Sequence, residues 1–235
     1  MTDTPDKTAI RDAATVLLVR RDAPGGAVLM GQRGAGAAFM PSKYVFPGGA
    51  VDPGDAAVPL ATPPGPRCAA RLAQDLRDGA PAALPHALAA AALRELWEET
   101  GLFLGAPGHW PGAVPADWQS FSDTGHLPSA AGLTFVFRAI TPPGRPRRFD
   151  ARFFLADAAD LACDPDDFSR ACDELSHLHW VPLTEARRLN LPFITEVVLA
   201  EVAALLADAG TRIAPPEAVP FFDNSGPRAQ FRRLI

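Results

Sequence analysis

The sequence is poor in cysteine and in long apolar runs, and both scarcities exclude common classes of protein. Its three cysteines, Cys68, Cys163 and Cys172, are an odd number without CxxC spacing. We therefore expect reduced, buried thiols rather than a disulfide framework or a cysteine zinc site. No apolar run reaches the roughly 18 residues of a membrane-spanning helix, and the polar residues 1–7 lack the pattern of a signal peptide. We expect a cytoplasmic protein without a membrane partner.

Basic residues are also in deficit, with 22 Lys and Arg against 27 Asp and Glu and a net charge of −5. That balance argues against a nucleic-acid partner, which would need a basic surface. The five histidines do not show the spacing of zinc ligands. His177 and His179 alternate on a predicted strand, so we interpret them as packing or surface residues.

Alternating apolar segments and longer helical periodicities are mixed along the chain. The strands are predicted at 14–21, 27–33, 44–46, 133–140, 147–156 and 177–183, and the helices at 85–101 and 192–210. This mixture, without an internal repeat, predicts an α/β fold with one sheet and helices on both faces.

Residues 1–235 are predicted to form a single domain with two elaborations. The proline-rich stretch 50–84 is interpreted as an insertion with a short helix near 68–77, and 211–235 as a C-terminal tail. Residues 105–132, rich in Gly, Pro and Ser, are expected to be an irregular connection.

Three carboxylates gather at the end of the predicted helix 85–101. Glu95, Glu98 and Glu99 stand at offsets i, i+3 and i+4, which place their side chains on one helix face. They lie in the last turn before Gly101, a residue typical of a C-cap. Negative charge there opposes the helix dipole by about 0.3–1 kcal/mol per charge. The arrangement indicates a bound cation, and the competing interpretation is a solvated acidic face.

The residues around these glutamates carry a family resemblance. The run 94–102 (RELWEETGL) resembles the second half of the Nudix box, G-x5-E-x7-R-E-U-x-E-E-x-G-U, in which U is aliphatic. Upstream, 46–49 (FPGG) resembles the run that opens the box, and 180–183 (WVPL) resembles the family's late strand. The resemblance spans residues 12–206 and implies a Nudix-type α/β/α sandwich with a mixed β-sheet.

The spacing within the box departs from the family's pattern. The box separates its first Gly from its Arg by x5-E-x7, whereas 44 residues separate Gly49 from Arg94. Counting eight residues back from Arg94 reaches His86, so by that count the first-half Glu has no counterpart. An expanded box, the segment 32–41 and the run 147–154 are similar to the Nudix branch that includes animal peroxisomal coenzyme A diphosphatases.

The resemblance implies a chemistry for these residues. Nudix enzymes cleave a diphosphate linked to another group by attack of water on phosphorus, which requires divalent cations. Glu98 and Glu99 would be the principal ligands of Mg²⁺ or Mn²⁺, with Glu95 assisting. The carbonyl of Gly49 would complete the shell, since such cations prefer oxygen ligands. Arg94 would pair with a carboxylate and hold helix and loop together.

Five further residues are candidates for substrate contact or proton transfer. Arg148 and Arg152 share one strand face, which suits either phosphate binding or an ion-pair ladder. Arg33, near the start of the substrate-facing region by resemblance, is a candidate phosphate ligand. Glu174, before the late strand, is a candidate general base, as a downstream Glu is in some family members. Asp173 competes for that role, and a solvated loop is the alternative.

The aromatic residues and the tail leave alternatives open. Trp110, Trp118 and the pair 221–222 (FF) suit either stacking on a nucleobase or packing in the core or a lid. The end of the tail, 228–235, mixes arginine with Phe231 and Leu234. It is expected either to fold back onto the domain or to mediate a homodimer.

Two functional hypotheses follow from the resemblance. The first is a Mg²⁺- or Mn²⁺-dependent pyrophosphohydrolase whose substrate is a small molecule containing a nucleoside diphosphate. Coenzyme A or an acyl derivative is the leading substrate, with ADP-ribose, dinucleotides and nucleoside triphosphates as alternatives. The second is a Nudix-like module that binds a nucleotide and regulates a partner without hydrolysis. The pair Glu98 and Glu99 favours the enzyme, and the missing first-half Glu favours the module.

Overall fold

The computed structural model describes residues 9–22, 25–37, 40–207, 210 and 213–235. The strands of this part of the chain are β1 (Ile10–Arg20), β2 (Ala27–Arg33), β3 (Tyr44–Val45), β4 (Gly48–Ala50), β5 (Gly105–Pro107), β6 (His126–Pro128), β7 (Thr134–Ile140), β8 (Arg148–Asp157), β9 (Leu175–Pro182), β10 (Val219–Asp223) and β11 (Gln230–Leu234). Its α-helices are α1 (Pro66–Leu72), α2 (Leu84–Thr100), α3 (Gln119–Ser122), α4 (Leu183–Ala186) and α5 (Phe193–Ala207). Short 3₁₀ helices cover Asp55–Ala57, Ala116–Trp118 and Ala158–Asp160.

One mixed sheet organises the described residues. Its strand order is β11-β10-β7-β8-β1-β2-β3, with β4 paired to β1 and β9 paired to β2. The central pair, β1 and β8, is parallel, and β8 is antiparallel to β7. A separate antiparallel pair, β5 and β6, lies within the predicted irregular connection, which is therefore more ordered than we expected.

The side chains of β1 alternate between two helical layers. Val16 and Leu18 belong to the core that contains α2, whereas Leu17 and Val19 belong to the core that contains α5. This alternation, with both faces buried, is what a central strand between two layers requires. The predicted α/β/α sandwich with a mixed sheet is confirmed.

The long helix α2 ends where the sequence predicts. Gly101 adopts the left-handed conformation, with φ 73°, and its N–H donates to the carbonyl of Trp97. This is the geometry of a glycine C-cap. The alanine run in the middle of the helix is fully buried, since Ala89 to Ala92 are each 0% exposed. Small side chains there let the helix lie close to the sheet.

The insertion is folded onto the sheet through a buried ion-pair network, the sheet cluster, whose members are Asp12, Arg77, Arg138, Asp150 and Arg152. Arg138 makes two bonds to Asp150, Nε–Oδ1 at 2.9 Å and Nη2–Oδ2 at 2.8 Å. Its Nη1 also donates to the carbonyl of Asp75 in the insertion. Arg77 reaches Asp12 at 2.5 Å, so the inserted segment is tied to the sheet by charge. The predicted short helix near 68–77 is present as α1.

The C-terminal tail is part of the sheet. β10 pairs in parallel with β7, and β11 pairs with β10 as an antiparallel hairpin. Of the two alternatives for the tail, the structure therefore shows folding back onto the domain.

Two further observations concern the cysteines and the scarcity of long apolar runs. Cys172 is exposed and Cys163 is half-buried, so the expectation of buried thiols holds only for Cys68. None of the helices in the described ranges combines the length and the apolar content that crossing a membrane requires.

Candidate active site

β4 brings two glycines against the glutamates of α2. A Cβ on Gly49 would overlap the Glu95 carboxylate, and one on Gly48 would meet the backbone of β1. The Gly48 N–H donates a 2.8 Å hydrogen bond to Glu99 Oε2. Glycine at both positions is therefore what allows the strand to approach the helix end this closely.

Arg94 is the centre of the ion pairs at this site. Its guanidinium makes two bonds with Asp55, Nε–Oδ1 at 3.0 Å and Nη2–Oδ2 at 3.1 Å. Nη1 donates to Glu95 Oε1 at 2.9 Å and to Glu98 Oε2 at 3.0 Å. Nη2 also donates to the carbonyl of Ala50. Arg94 thus joins α2 to β4 and to the 3₁₀ helix that follows, which agrees with the holding role expected of it.

Asp55 is the residue that our sequence reasoning missed. The box places its first-half Glu six residues after its first Gly, and six residues after Gly49 is Asp55. Counting forward from the glycine would have found it, whereas counting back from Arg94 crosses the insertion and reaches His86. Asp55 is 1% exposed and pairs with Arg94. The acidic partner is therefore present as a shorter carboxylate, and the extra residues of the box follow it.

Negative charge dominates the site. Burial raises the pKa of Glu95 to about 7, Arg94 opposes the rise, and Glu98 and Glu174 add to it. The pKa of Glu99 rises well above its usual range because the group is buried and close to Glu95. Carboxylates that raise one another's pKa in this way are stabilised in their ionised form by a bound cation.

The chemistry of the donor set fits a hard divalent cation, because all of the donors are oxygens. The present side-chain positions are not those of a formed metal centre. In the described ranges, no group of three or more His, Cys, Asp or Glu residues is arranged to hold a metal ion. The reason is visible in the contacts, since Arg94 engages Glu95 and Glu98 while Glu99 faces Gly48. Each of these contacts engages one oxygen of its carboxylate, which leaves the second oxygen as a donor to a cation.

A cavity of about 930 Å³ opens beside this cluster, between the sheet and the start of α5. Glu95, Gly49, Arg33 and Glu174 line one part of it. Arg33 Nη2 lies 2.9 Å from Glu174 Oε1, so these two predicted residues come together beside the glutamates of α2. Glu174 lines the cavity and Asp173 does not, which favours Glu174 as the candidate base.

Of the two alternatives left open for Arg148 and Arg152, the contacts of Arg152 favour an ion-pair network over phosphate binding. Arg152 is 1% exposed and bonds to Asp12 and to the carbonyl of Asp150 on the face away from the cavity. Arg148 donates to the carbonyls of Thr141 and Asn224. The two arginines do share a strand face, but that face is turned toward the buried sheet cluster. The apolar residues of β8 face the cavity instead.

Most of the predicted stacking aromatics lie elsewhere. Trp118 is buried against Phe121, and Trp110 packs on Trp118 with ring centroids 5.6 Å apart. Phe221 is buried beneath Arg138 at 4.2 Å. Phe222 alone of the four lines the cavity. The packing interpretation therefore holds for the other three.

Comparisons with known proteins agree with this geometry. No family model matches the chain. It is 29% identical, over 73% of its length, to a protein of Caenorhabditis elegans that bears the name nudix hydrolase 7, and covers 51% of that protein. It is 29% identical, over 75% of its length, to the acyl-coenzyme A diphosphatase NUDT19 of Gallus gallus, and covers 62% of it. The chain thus spans less than two thirds of the length of these curated relatives.

A solved structure extends the likeness to the whole fold. The crystal structure of a NUDIX hydrolase from Alicyclobacillus acidocaldarius matches with a TM-score of 0.61 and 29% identity, over 88% of this chain and 99% of that one. In sequence, in fold and in the box residues around Arg94, this chain is therefore similar to the Nudix hydrolases.

Proposed function

We propose that the protein hydrolyses a diphosphate linkage in a nucleoside diphosphate derivative, with Mg²⁺ or Mn²⁺ held by Glu95, Glu98, Glu99 and the carbonyl of Gly49. The observation that carries the proposal is the position of the acidic end of α2. Glu95 and Gly49 open into the same cavity as Arg33 and Glu174. A crowded set of carboxylates beside a cavity with a cationic residue is suited to metal-dependent chemistry on phosphates.

Each residue has a defined task in the proposed reaction. The bound cations would neutralise phosphate charge and lower the pKa of water. Glu174 accepts a proton from the attacking water, whose oxygen bonds to one phosphorus while the bridging oxygen leaves with the other phosphate. Arg33 orients Glu174 through their 2.9 Å ion pair and lies within the cavity to bind a phosphate oxygen. Arg94 and Asp55 hold the helix and β4 in register.

Coenzyme A or an acyl-coenzyme A is the leading substrate. The proposal is supported by the likeness to the acyl-coenzyme A diphosphatase of Gallus gallus. The cavity volume lies within the range of about 300–1,000 Å³ that is typical of small-molecule sites, and apolar residues such as Phe149, Phe153 and Phe222 line it. ADP-ribose, dinucleotides and nucleoside triphosphates are the alternative substrates.

The experiment is a substrate panel in isotopically labelled water. Coenzyme A, an acyl-coenzyme A, ADP-ribose, NADH, a diadenosine polyphosphate and a dNTP are each incubated with Mg²⁺ or Mn²⁺ in H₂¹⁸O. We expect turnover of at least one compound, one ¹⁸O in one phosphate product by mass, and loss of turnover with a chelator. Absence of metal-dependent turnover across the panel would contradict the proposal.

A second candidate function is nucleotide binding without hydrolysis. The observation in its favour is that Glu95 and Glu98 are held by Arg94 rather than arranged around a metal position. Asp55 removes the sequence feature that supported this candidate, because the first-half carboxylate is present. Binding of a panel compound at equilibrium, without turnover at any metal concentration, would favour the module over the enzyme.

The proposed setting follows from the substrate class. We propose a cytoplasmic enzyme that acts on a small molecule and has no nucleic-acid partner, in keeping with the net charge of −5. A homodimer remains a prediction, to be checked by the molar mass in solution.

A further inference from the structure

Three arginines line the part of the cavity beyond the glutamates of α2. Arg11, at the start of β1, and Arg145 and Arg147, in the turn before β8, all line it. Arg145 and Arg147 are exposed and form no ion pair with any other residue that the structure describes. Arg11 has only a 3.9 Å contact with Asp52, and its side chain is 58% exposed. The proposed hydrolysis does not use these three residues.

The register of the sheet fixes how far these arginines lie from the glutamates. Gly49 pairs with Ala14, and Arg11 pairs with Phe149. At about 3.3 Å per residue, Arg11 stands roughly 10 Å along β1 from the level of Gly49. Arg147 directly precedes Arg148, the first residue of β8, which pairs with Ile10, so it lies farther from the level of Gly49 than Arg11 does. The long arginine side chains can shorten both separations.

The charges along the cavity therefore suit a ligand with two anionic groups. Carboxylates that suit a cation and a diphosphate lie at one end, and Arg145 and Arg147 lie at the other. Arg11 lies between these two ends, beside Asp52, which also contacts Arg94 at 3.5 Å. Between the two ends the wall is apolar and aromatic, with Phe149 and Phe153 from β8 and Phe222 from β10. Such a wall suits an uncharged ring system, and guanidinium groups are well matched to a phosphate monoester through paired N–H donors.

We propose that Arg11, Arg145 and Arg147 form a subsite for a second phosphate, a monoester on the ribose of the substrate. The enzyme then prefers nucleoside diphosphate derivatives that carry an additional ribose phosphate. This inference rests on the proposed function, because it extends the same cavity. The 2′- and the 3′-phosphate of a ribose share this chemistry, and the test separates them.

The test uses two pairs of compounds that differ by one phosphate. Coenzyme A is compared with 3′-dephospho-coenzyme A, and NADPH with NADH, by kcat/KM in the presence of Mg²⁺. We expect the phosphorylated compound to be favoured about tenfold in at least one pair, which is the scale of a hydrogen bond to a charged group. Arg147→Ala and Arg145→Ala should raise KM for the phosphorylated compound and leave its kcat unchanged. The kcat/KM of the compound that lacks the phosphate should not change. Arg187→Ala, which removes an exposed arginine outside the cavity, is the matched control.

The outcomes separate the subsite from the hydrolysis. Preference in the coenzyme A pair assigns the site to a 3′-phosphate, and preference in the NADPH pair assigns it to a 2′-phosphate. Equal hydrolysis within both pairs, or an equal effect of Arg187→Ala, overturns the subsite and leaves the proposed function standing. If none of the four compounds is hydrolysed, the proposed function fails for these compounds. Calorimetry then decides the subsite. Tighter binding of adenosine 3′,5′-bisphosphate than of AMP supports the subsite if the difference is lost in Arg147→Ala. Equal binding of the two compounds overturns the subsite.

Discussion

Two buried clusters of arginine and carboxylate lie in this molecule, and their charges are balanced differently. The site cluster comprises Arg94, Asp55, Glu95, Glu98 and Glu99. The sheet cluster comprises Arg77, Arg138, Arg152, Asp12 and Asp150. The first has one arginine for four carboxylates, and the second has three arginines for two carboxylates.

The pKa values respond to this balance. Burial acts to raise the pKa of both Glu95 and Asp150, since it disfavours the charged form. For Glu95 the rise prevails, to about 7, because burial is the largest effect and Arg94 offsets only part of it, while Glu98 and Glu174 add to the rise. For Asp150 the arginines prevail and the pKa falls below its usual value. The comparison teaches that the sheet cluster is complete without a ligand, whereas the site cluster has an excess of negative charge that a cation would neutralise.

The largest expected effect comes from the site cluster. Glu99→Gln should lower metal-dependent hydrolysis by about 10³-fold or more, because it removes a ligand that the proposed chemistry requires. The fold should persist, as judged by an unchanged circular dichroism spectrum. Glu185→Gln, an exposed substitution on α4, is the control and should keep normal turnover. Near-normal activity of Glu99→Gln would contradict its assignment as a metal ligand.

The sheet cluster should give the opposite result. Asp150→Asn should lower the free energy of unfolding by about 3–5 kcal/mol, because it leaves Arg138 and Arg152 buried without their shared partner. Urea unfolding measures the loss. The variant should retain the KM of the parent protein at a temperature where it is folded. A large change in KM without a loss of stability would show that the sheet cluster acts in the site.

Asp55 tests whether an ion pair of the site cluster also contributes to stability, as the sheet cluster does. Asp55→Asn should cost about 2–3 kcal/mol of stability, because Arg94 loses its main partner yet keeps Glu95 and Glu98. Asp55→Glu restores the carboxylate of the family pattern and should recover most of that loss, which a urea titration of both variants would reveal. Equal stability of Asp55→Asn and the parent would contradict the structural role of this ion pair.

The last expected effect concerns the pH dependence of stability in the presence of a chelator. The folded-state pKa of Glu95 is raised, so its contribution to stability is present below about pH 4.5 and is lost as the pH rises through about 7. Glu95→Gln should reduce this loss, by up to about 3 kcal/mol at pH 8. The folded-state pKa of Asp150 is lowered, so its contribution is present above its ordinary value and is lost on acidification. Thermal unfolding of the parent, Glu95→Gln and Asp150→Asn from pH 3 to 8 measures how the contribution of each carboxylate to stability changes with pH. Contributions that change in the same direction would contradict the difference between the two clusters.

Local sequence was sufficient where the determining interactions are local. The helix α2, its glycine cap and the offsets of Glu95, Glu98 and Glu99 follow from periodicity and backbone preference within a few residues. The alternation of β8 also predicted that Arg148 and Arg152 share a face. It left open whether that face meets a substrate or other charged residues, because periodicity states which residues are on the same side but not what that side contacts.

The sequence by itself determined the acidic helix end, the glycines of β4 and the α/β class of the fold. Only the tertiary structure decided that Asp55 pairs with Arg94 across the insertion, that the tail completes the sheet, and that Arg11, Arg145 and Arg147 border the cavity. The physical reason is that helix and strand patterns arise from neighbours in the chain. Ion pairs, strand order and cavities depend on which distant segments are brought together, and long insertions leave those distances free in the sequence.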